Sequence, residues 1–139
     1  MKHIITFCLF YLILLIPAVT KSQTKPSGIT GTWQLISSKG SINSIPIDHD
    51  SSTVYMLKIL TASMFVNTEY DKKTNHFKST TQGIYSITGD QYNETVTNSS
   101  VGDFPGHGFV YTYSIVDNIL TIQGESNGIK LLESWKRIE

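Results

Sequence analysis

Short runs in which apolar and polar residues alternate fill most of the chain after residue 30, and this pattern predicts β-strands. The runs are rich in β-branched and aromatic residues, and clusters of Gly, Asn, Asp, Ser and Pro separate them. Eight strands are predicted, at residues 32–38, 53–60, 64–70, 82–88, 91–98, 109–116, 119–123 and 129–138. We therefore expect an all-β domain, either an up-and-down barrel or a sandwich.

The boundaries between these strands carry turn signals of different strength. Thr-Gly-Asp-Gln at 88–91 and Val-Asp-Asn-Ile at 116–119 predict two tight hairpins, because Gly, Asn and Asp tolerate the backbone angles of such turns. Ile-Pro-Ile-Asp at 45–48 is interpreted as a further turn. Gly83 and Gly124 are candidate positions for β-bulges, which would reverse the facing of the residues beyond them.

The two-residue period of the strands predicts which side chains face the interior. In the sixth predicted strand the aromatic residues fall on one face, so Tyr111 and Tyr113 are expected to point inward. In the fifth strand only one face has apolar residues, Tyr92 and Val96, and Glu94 lies on that face. The pattern thus places a carboxylate among inward-facing aromatic side chains.

In the last predicted strand the two faces differ less clearly in polarity. Trp135 favours its own face for the interior, and that face also carries Glu133. An isolated buried charge is unfavourable by several kcal/mol, so Glu94 and Glu133 need partners or a polar surrounding. Tyr hydroxyls, with Lys58 as counter-ion, would satisfy both carboxylates inside a filled interior. The other interpretation is a polar-lined cavity in which the same groups hold a ligand.

The predicted ligand-binding set consists of inward aromatic residues and the two carboxylates: Phe65, Tyr85, Tyr92, Glu94, Tyr111, Tyr113, Glu133 and Trp135. Small eight-stranded barrels either fill with side chains or hold one small ligand. Tyrosines beside carboxylates suit a ligand with an apolar body and a hydroxyl or cationic group.

Composition and charge narrow the choice of function. The chain has 139 residues, of which 40% are hydrophobic and 16% charged, as expected of one folded globular domain. Lys plus Arg number 11 and Asp plus Glu also 11, so no excess of cations is present to displace the counterions of a nucleic acid. Nucleic acid is therefore not a predicted partner.

The N-terminal segment has the pattern of an export signal. Residues 1–22 are predicted to be a secretory signal peptide, because the apolar run 4–19 carries no charge and is shorter than the ~20 residues of a membrane span. A polar leader at 23–29 and a barrel domain at 30–139 would follow, secreted or periplasmic and without stable membrane insertion after cleavage. Cys8 would leave with the signal, and an uncleaved signal anchor is the alternative.

Two short motifs bracket the predicted barrel. Gly31-Thr32-Trp33 opens the first strand, and Trp135-Lys136-Arg137 closes the last one. This resembles the calycin pattern of lipocalins and fatty-acid-binding proteins. The resemblance implies that Arg137 covers Trp33 and seals the barrel floor, with Gly31 as part of the same closing motif.

A more specific likeness extends along nearly the whole domain, from residue 30 to residue 138. It is carried by Lys58-Ile59-Leu60-Thr61, Phe65, Tyr70-Asp71-Lys72-Lys73-Thr74, Gly83-Ile84-Tyr85, Tyr92-Asn93-Glu94 and Glu133-Ser134-Trp135-Lys136-Arg137. In this order and spacing the motifs resemble a lipocalin-like family of secreted bacterial proteins of unassigned function. The resemblance implies a single up-and-down antiparallel barrel of about eight strands. Members of that family often have Trp-His-His in the penultimate strand, where this chain has Ile-Leu-Thr-Ile at 119–122, so no role of those histidines carries over.

The remaining candidates for chemistry are two histidines in loops. His107 lies between two glycines, with Asp103 nearby, and His49 lies between two aspartates. One His with one Asp is a poor zinc site, since zinc usually takes three or four protein ligands. No metal, cofactor or catalytic residue is predicted.

The sequence therefore predicts an extracytoplasmic lipocalin-like protein that binds a small, partly apolar molecule non-covalently in the barrel interior. Two alternatives stay open. One is an interaction module that engages a protein partner through its loops, especially residues 98–108. The other, less favoured, is a small-barrel enzyme with Glu94 or His107 as general base, or with Glu94 and Glu133 as an acid and base pair.

Overall fold

The computed structural model describes residues 28–139, and the regular structure of this part consists of strands alone. The strands are β1 Gly31–Ile42, β2 Ile45–Asp50, β3 Val54–Leu60, β4 Met64–Asp71, β5 Phe77–Thr88, β6 Gln91–Ser99, β7 Gly108–Val116, β8 Ile119–Ser126 and β9 Ile129–Arg137. Among these residues no helix is long and apolar enough to cross a membrane. The predicted signal peptide, 1–22, and residues 23–27 of the leader lie outside the described residues.

Every strand pairs antiparallel with its neighbours, and β9 returns to pair with β1. The order β1-β3-β4-β5-β6-β7-β8-β9 is thereby closed into an eight-stranded barrel, which removes exposed sheet edges. On its other side β1 pairs twice, through residues 31–34 with β3 and through residues 37–42 with β2. The predicted all-β, up-and-down antiparallel barrel is confirmed, and β2 is an extra strand beside it.

Strand β2 corrects the interpretation of residues 45–48 as a turn. The turn lies two residues earlier, where Asn43 and Ser44 have φ of 48° and 68°, the positive angles of a type I′ hairpin. Pro46 fits because β2 pairs with β1 alone, and a strand with one neighbour tolerates a residue without an N–H. Three predicted strands are also clearly longer than expected, since β1 continues to Ile42, β5 begins at Phe77 and β8 continues to Ser126.

Alternation along the strands follows the predicted faces. In β7, Phe109 and Tyr111 are buried while Val110 and Thr112 are exposed. The sheet bends through three register shifts, and one of them lies at Gly83, as predicted. A side chain there would place Cβ 2.0 Å from the Thr95 carbonyl oxygen, so glycine permits the close approach of β5 and β6.

The closed end of the barrel is packed with large side chains. Trp33, Phe65, Leu120 and Trp135 are completely buried, and the Trp33 indole donates a hydrogen bond of 2.9 Å to the Ile29 carbonyl. The contact that the calycin resemblance implies is present, with the Arg137 guanidinium carbon 4.1 Å from the centre of the Trp33 ring.

Gly31 belongs to the same closure. Its φ is 140°, and a Cβ atom there would lie 2.5 Å from both the Glu139 carbonyl oxygen and an Arg137 guanidinium nitrogen. The guanidinium also donates to the carbonyls of Gly28 and Thr30. The two chain segments that close the floor therefore approach each other only because residue 31 has no side chain.

Candidate functional site

Above this packed floor the barrel holds a cavity of about 160 Å³. Polar and apolar side chains both line it: Lys58, Asn67, Thr81, Glu94, Val96, Phe104, Phe109, Tyr111, Ile122, Ile129, Leu131 and Glu133. Most of the wall is therefore apolar, and three side chains that can carry a charge at neutral pH, Lys58, Glu94 and Glu133, converge on a small volume.

Each ionisable group reaches the interior through the alternation of its strand. Lys58 of β3 lies two residues before the buried Leu60. Glu94 of β6 lies between the buried Tyr92 and Val96. The same period brings Glu133 of β9 inward beside Trp135 and Leu131, so backbone geometry alone gathers the three charges.

Lys58 and Glu133 form a buried ion pair. The Lys58 Nζ lies 3.7 Å from the Glu133 Oε2, and the two side chains are only 3% and 12% exposed. The ammonium group also lies 4.9 Å from the centre of the Trp135 ring and 5.6 Å from that of Tyr92. The counter-ion that the filled-interior interpretation requires is thus in place for Glu133.

Both oxygens of Glu133 have partners. Oε2 accepts a hydrogen bond of 2.9 Å from the Trp135 Nε1, and Oε1 accepts one of 3.4 Å from the Ser38 hydroxyl. Together with Lys58 these donors satisfy the carboxylate. Glu133 is therefore held as part of the cavity wall.

Glu94 is less well satisfied. Burial is the main cause that raises the pKa of its carboxyl, and Glu133 adds to the shift, while Lys58 and the Tyr92 hydroxyl act in the opposite direction. The Tyr92 hydroxyl is enclosed and makes no hydrogen bond of good geometry, although it lies near enough for Glu94 to raise the pKa of Tyr92 further. Part of the Glu94 side chain remains open to the cavity.

Asn67 adds a second acceptor without a donor. It follows Phe65 at the next inward position of β4, and its side-chain oxygen is enclosed with no hydrogen-bond partner in the described chain. Its backbone carbonyl is satisfied separately, by the Thr80 hydroxyl at 3.0 Å. An enclosed polar atom in this state is unusual in a filled core and is more typical of a site that takes a ligand or water.

Two further pockets adjoin the cavity at the open end of the barrel. One of about 260 Å³ shares Asn67 and Glu133 with it, and the other, of about 370 Å³, shares Phe104 and Phe109. Phe104 belongs to the loop between β6 and β7 and lies between the inner cavity and the outer pocket of 370 Å³, since it lines both. The passage between these two spaces therefore runs past a loop residue, whereas the 260 Å³ pocket adjoins the cavity without it.

The histidines of the sequence prediction lie at this mouth and not in the inner cavity. His107 lines the outer pocket, where its Nδ1 lies 3.1 Å from the Phe104 carbonyl oxygen and its ring stacks on Phe109 at 6.5 Å. His49 lines the 260 Å³ pocket. Over residues 28–139, no group of three or more His, Cys, Asp or Glu side chains is placed to hold a metal ion.

Comparison with known proteins gives the family. Residues 28–139 match the family described as a domain of unknown function, DUF4488. The chain belongs to the DUF4488 family. No curated protein matches the chain significantly.

Two crystal structures share the fold of this DUF4488 domain. A lipocalin-like protein from Bacteroides uniformis ATCC 8492 has a TM-score of 0.54 at 14% identity, covering 78% of this chain and 97% of that one. An uncharacterized protein from Bacteroides eggerthii DSM 20697 has a TM-score of 0.51 at 12% identity, covering 77% and 98%. The DUF4488 match confirms the predicted membership in a family of unassigned function, and the likeness to these two structures shows a lipocalin-like fold alone.

The predicted ligand-binding residues lie at different depths in the barrel of this DUF4488 domain. Glu94, Tyr111 and Glu133 line the cavity. The other five residues lie outside its lining and belong to the core or pack against it: Phe65, Tyr85, Tyr92, Tyr113 and Trp135. Their part in binding stays a prediction.

Several lining residues were absent from the predicted set. Asn67 and Ile122 follow from the same alternation that identified Glu94, because each lies two residues from a buried neighbour on its strand. Phe104 carries no such signal, since a loop has no two-residue period. Only the three-dimensional course of the loop places its ring against the cavity.

Proposed function

We propose that this DUF4488 barrel binds a small, partly apolar molecule non-covalently in its inner cavity. The observation that carries the proposal is a space of about 160 Å³ inside the barrel, in which apolar walls converge on the half-buried Glu94. A cavity of about 150 Å³ in another protein accommodates benzene, so a single ring or a short branched chain fits this volume. Larger ligands would extend into the adjoining pockets.

The mixture of groups in the wall supports a ligand with two parts. The apolar surface of the wall includes Val96, Phe109 and Ile122. Its polar part includes the side-chain oxygens of Glu94 and Asn67, which can accept hydrogen bonds from a ligand. Apolar walls with a few converging polar groups are typical of small-molecule sites. A lipocalin-like barrel of eight strands is of the size that holds one such ligand.

The loop alternative has weaker support. Its largest apolar side chain, Phe104, faces the cavity, whereas Val101 is 46% exposed. A loop that directs its aromatic residue inward suits a lid over the barrel more than a surface for a protein partner.

We further propose that the protein acts outside the cytoplasm, on the support of the signal-like segment 1–22. N-terminal sequencing of the protein from its producing cells tests this. A mature chain that begins at Gln23, or close to it, is expected. A chain that keeps residues 1–22 would contradict the proposal.

Heteronuclear NMR titration with phenethyl alcohol, a single-ring probe, tests the binding proposal. The wild-type protein is expected to bind the probe with a Kd of about 1 mM or tighter, with shifts concentrated at Val96, Tyr111 and Ile122. Val96→Phe fills the cavity and should abolish these shifts, whereas the matched outer-face variant Val110→Phe should keep them. Leu131→Phe provides a second cavity-filling variant at a half-buried position.

The proposal is overturned if the probe fails to bind the wild-type protein. It is also overturned if both cavity-filling variants, shown to be folded by their amide spectra, bind the probe as wild type does. In that second case the probe would occupy a site on the protein surface.

A further inference from the structure

We propose that the cavity selects a small organic cation, a protonated amine attached to a single ring or a comparably short apolar body. This inference rests on the binding function proposed above and names its ligand class. It follows from the balance of charges, donors and acceptors in the cavity wall.

The charges in the cavity wall do not balance. The lining contains one cationic side chain, Lys58, and two carboxylates, Glu94 and Glu133. Lys58 is paired with Glu133 and enclosed by the rings of Tyr92 and Trp135. One carboxylate therefore remains without a cation of its own, in a place where water screens charge poorly.

The hydrogen-bond acceptors in the wall differ in how many donors they already have. Glu133 already receives hydrogen bonds from Ser38 and Trp135, so its oxygens are engaged. Glu94 and Asn67 both line the cavity; the enclosed Asn67 oxygen has no donor among the described residues, and the neutral Tyr92 hydroxyl is the donor nearest to Glu94. A protonated amine carries two or three N–H donors and a positive charge, which meets both needs at once.

The same wall disfavours an anion. Lys58 is the only cation in the lining that could pair with a carboxylate ligand, and its side chain is 3% exposed and already paired with Glu133, while Asn67, Thr81 and Tyr111 offer neutral donors only. An incoming anion would face Glu94 at short range in a medium of low dielectric constant. A neutral alcohol is intermediate, because it offers a single O–H donor and no charge.

The apolar body of the cation has a defined place. Val96, Phe109 and Ile122 form the wall beside the polar groups, and the free space is that of about one benzene ring. A ring joined to an amine by one or two methylenes would place its charge at Glu94 and its ring against this wall.

Calorimetric titration with three probes of matched shape tests the inference: phenethylamine, phenethyl alcohol and phenylacetate. We expect phenethylamine to bind about tenfold or more tightly than the alcohol, and phenylacetate to bind most weakly. Glu94→Gln should reduce the affinity for the amine to that for the alcohol and leave the alcohol unchanged. Glu125→Gln, which removes an exposed carboxylate from the outer wall, should leave all three affinities as in wild type.

The outcomes separate this inference from the function on which it rests. Equal affinities for amine and alcohol, unaltered by Glu94→Gln, would overturn the cation and leave cavity binding intact. Phenylacetate as the tightest probe would do the same. Failure of every probe to bind would overturn both, because phenethyl alcohol is also the probe of the proposed function.

Discussion

Lys58 of β3 and Glu133 of β9 form an ion pair across the interior, with 3.7 Å between Nζ and Oε2. Strands β3 and β9 are not paired with each other, since both flank β1. The ion pair therefore ties two strands together over the inner face of a third. It also fixes the only cation among the cavity-lining residues, which leaves Glu94 as the carboxylate open to a ligand.

Breaking this pair should destabilise the barrel. Lys58→Met leaves Glu133 buried without its cation, and we expect the free energy of unfolding to fall by about 3–5 kcal/mol. The double variant Lys58→Met with Glu133→Gln should lose less, because no uncompensated charge remains. Urea unfolding measures both, and a single variant as stable as wild type would show that the pair contributes nothing.

Removing the Glu94 charge should have the opposite effect on stability. Because burial raises the pKa of Glu94 above its ordinary value of 4.5, the folded state holds this proton more tightly than the unfolded state does. Wild-type stability should therefore fall as pH rises from 4.5 through the folded-state pKa, and the penalty is complete once the pH is above that pKa.

Glu94→Gln should then be more stable than wild type at neutral pH and should lose this pH dependence. Urea unfolding at several pH values tests it, with Glu125→Gln as the exposed control. A Gln variant less stable than wild type at neutral pH would mean that the carboxylate stabilises the fold. Greater stability with weaker amine binding would instead mark a residue kept for its function.

Amine binding should depend on pH through the same carboxyl group. Phenethylamine stays protonated through the acid and neutral range, so its affinity should fall as pH drops through the raised pKa of Glu94. Lys58, Glu133 and Tyr92 also face Glu94, and burial raises the pKa of Tyr92 away from this range. A pH profile that persists unchanged in Glu94→Gln would assign the dependence to another group.

The floor of the barrel should depend on the geometry of Arg137 and not only on its charge. Arg137→Ala removes the contact with the Trp33 ring at 4.1 Å and the hydrogen bonds to two backbone carbonyls. We expect a loss of about 1–3 kcal/mol in the free energy of unfolding. Arg137→Lys keeps the charge but lacks the planar fork, so it should recover only part of the loss. Full recovery by Lys would contradict this account.

Phe104 should act on ligand retention and not on folding. Because its ring lies between the inner cavity and the outer pocket, Phe104→Ala should weaken binding of phenethyl alcohol by about tenfold, mainly through faster release. Thermal unfolding should change little. Val101→Ala in the same loop, at a position 46% exposed, is the matched control and should bind as wild type does.

Most of the barrel was predictable because alternation and turn chemistry are local properties of the chain. The hairpin at Asp117 and Asn118 forms as predicted, with φ of 49° and 63°. Strand β2 was missed because Ile-Pro-Ile-Asp has the composition of a turn, and only its pairing with β1 makes it a strand.

The site was predictable only in part, for a different reason. The alternation of apolar and polar residues predicts that Tyr92, Glu94 and Val96 share a face, but it does not predict how deep each side chain lies along the barrel axis. Depth depends on strand tilt and on the register shifts, which arise from the closure of the whole sheet. Tyr92 therefore belongs to the packed core, while Glu94, two residues later, reaches the cavity.

Native mass spectrometry of the protein purified gently from its producing cells tests the central claim most directly. Wild type, Val96→Phe and the outer-face control Val110→Phe are compared under identical conditions. We predict a single small-molecule mass bound one to one on wild type and on Val110→Phe, and its absence from Val96→Phe. A wild-type protein that carries no molecule, or one that remains in the cavity-filled variant, would contradict binding in the barrel.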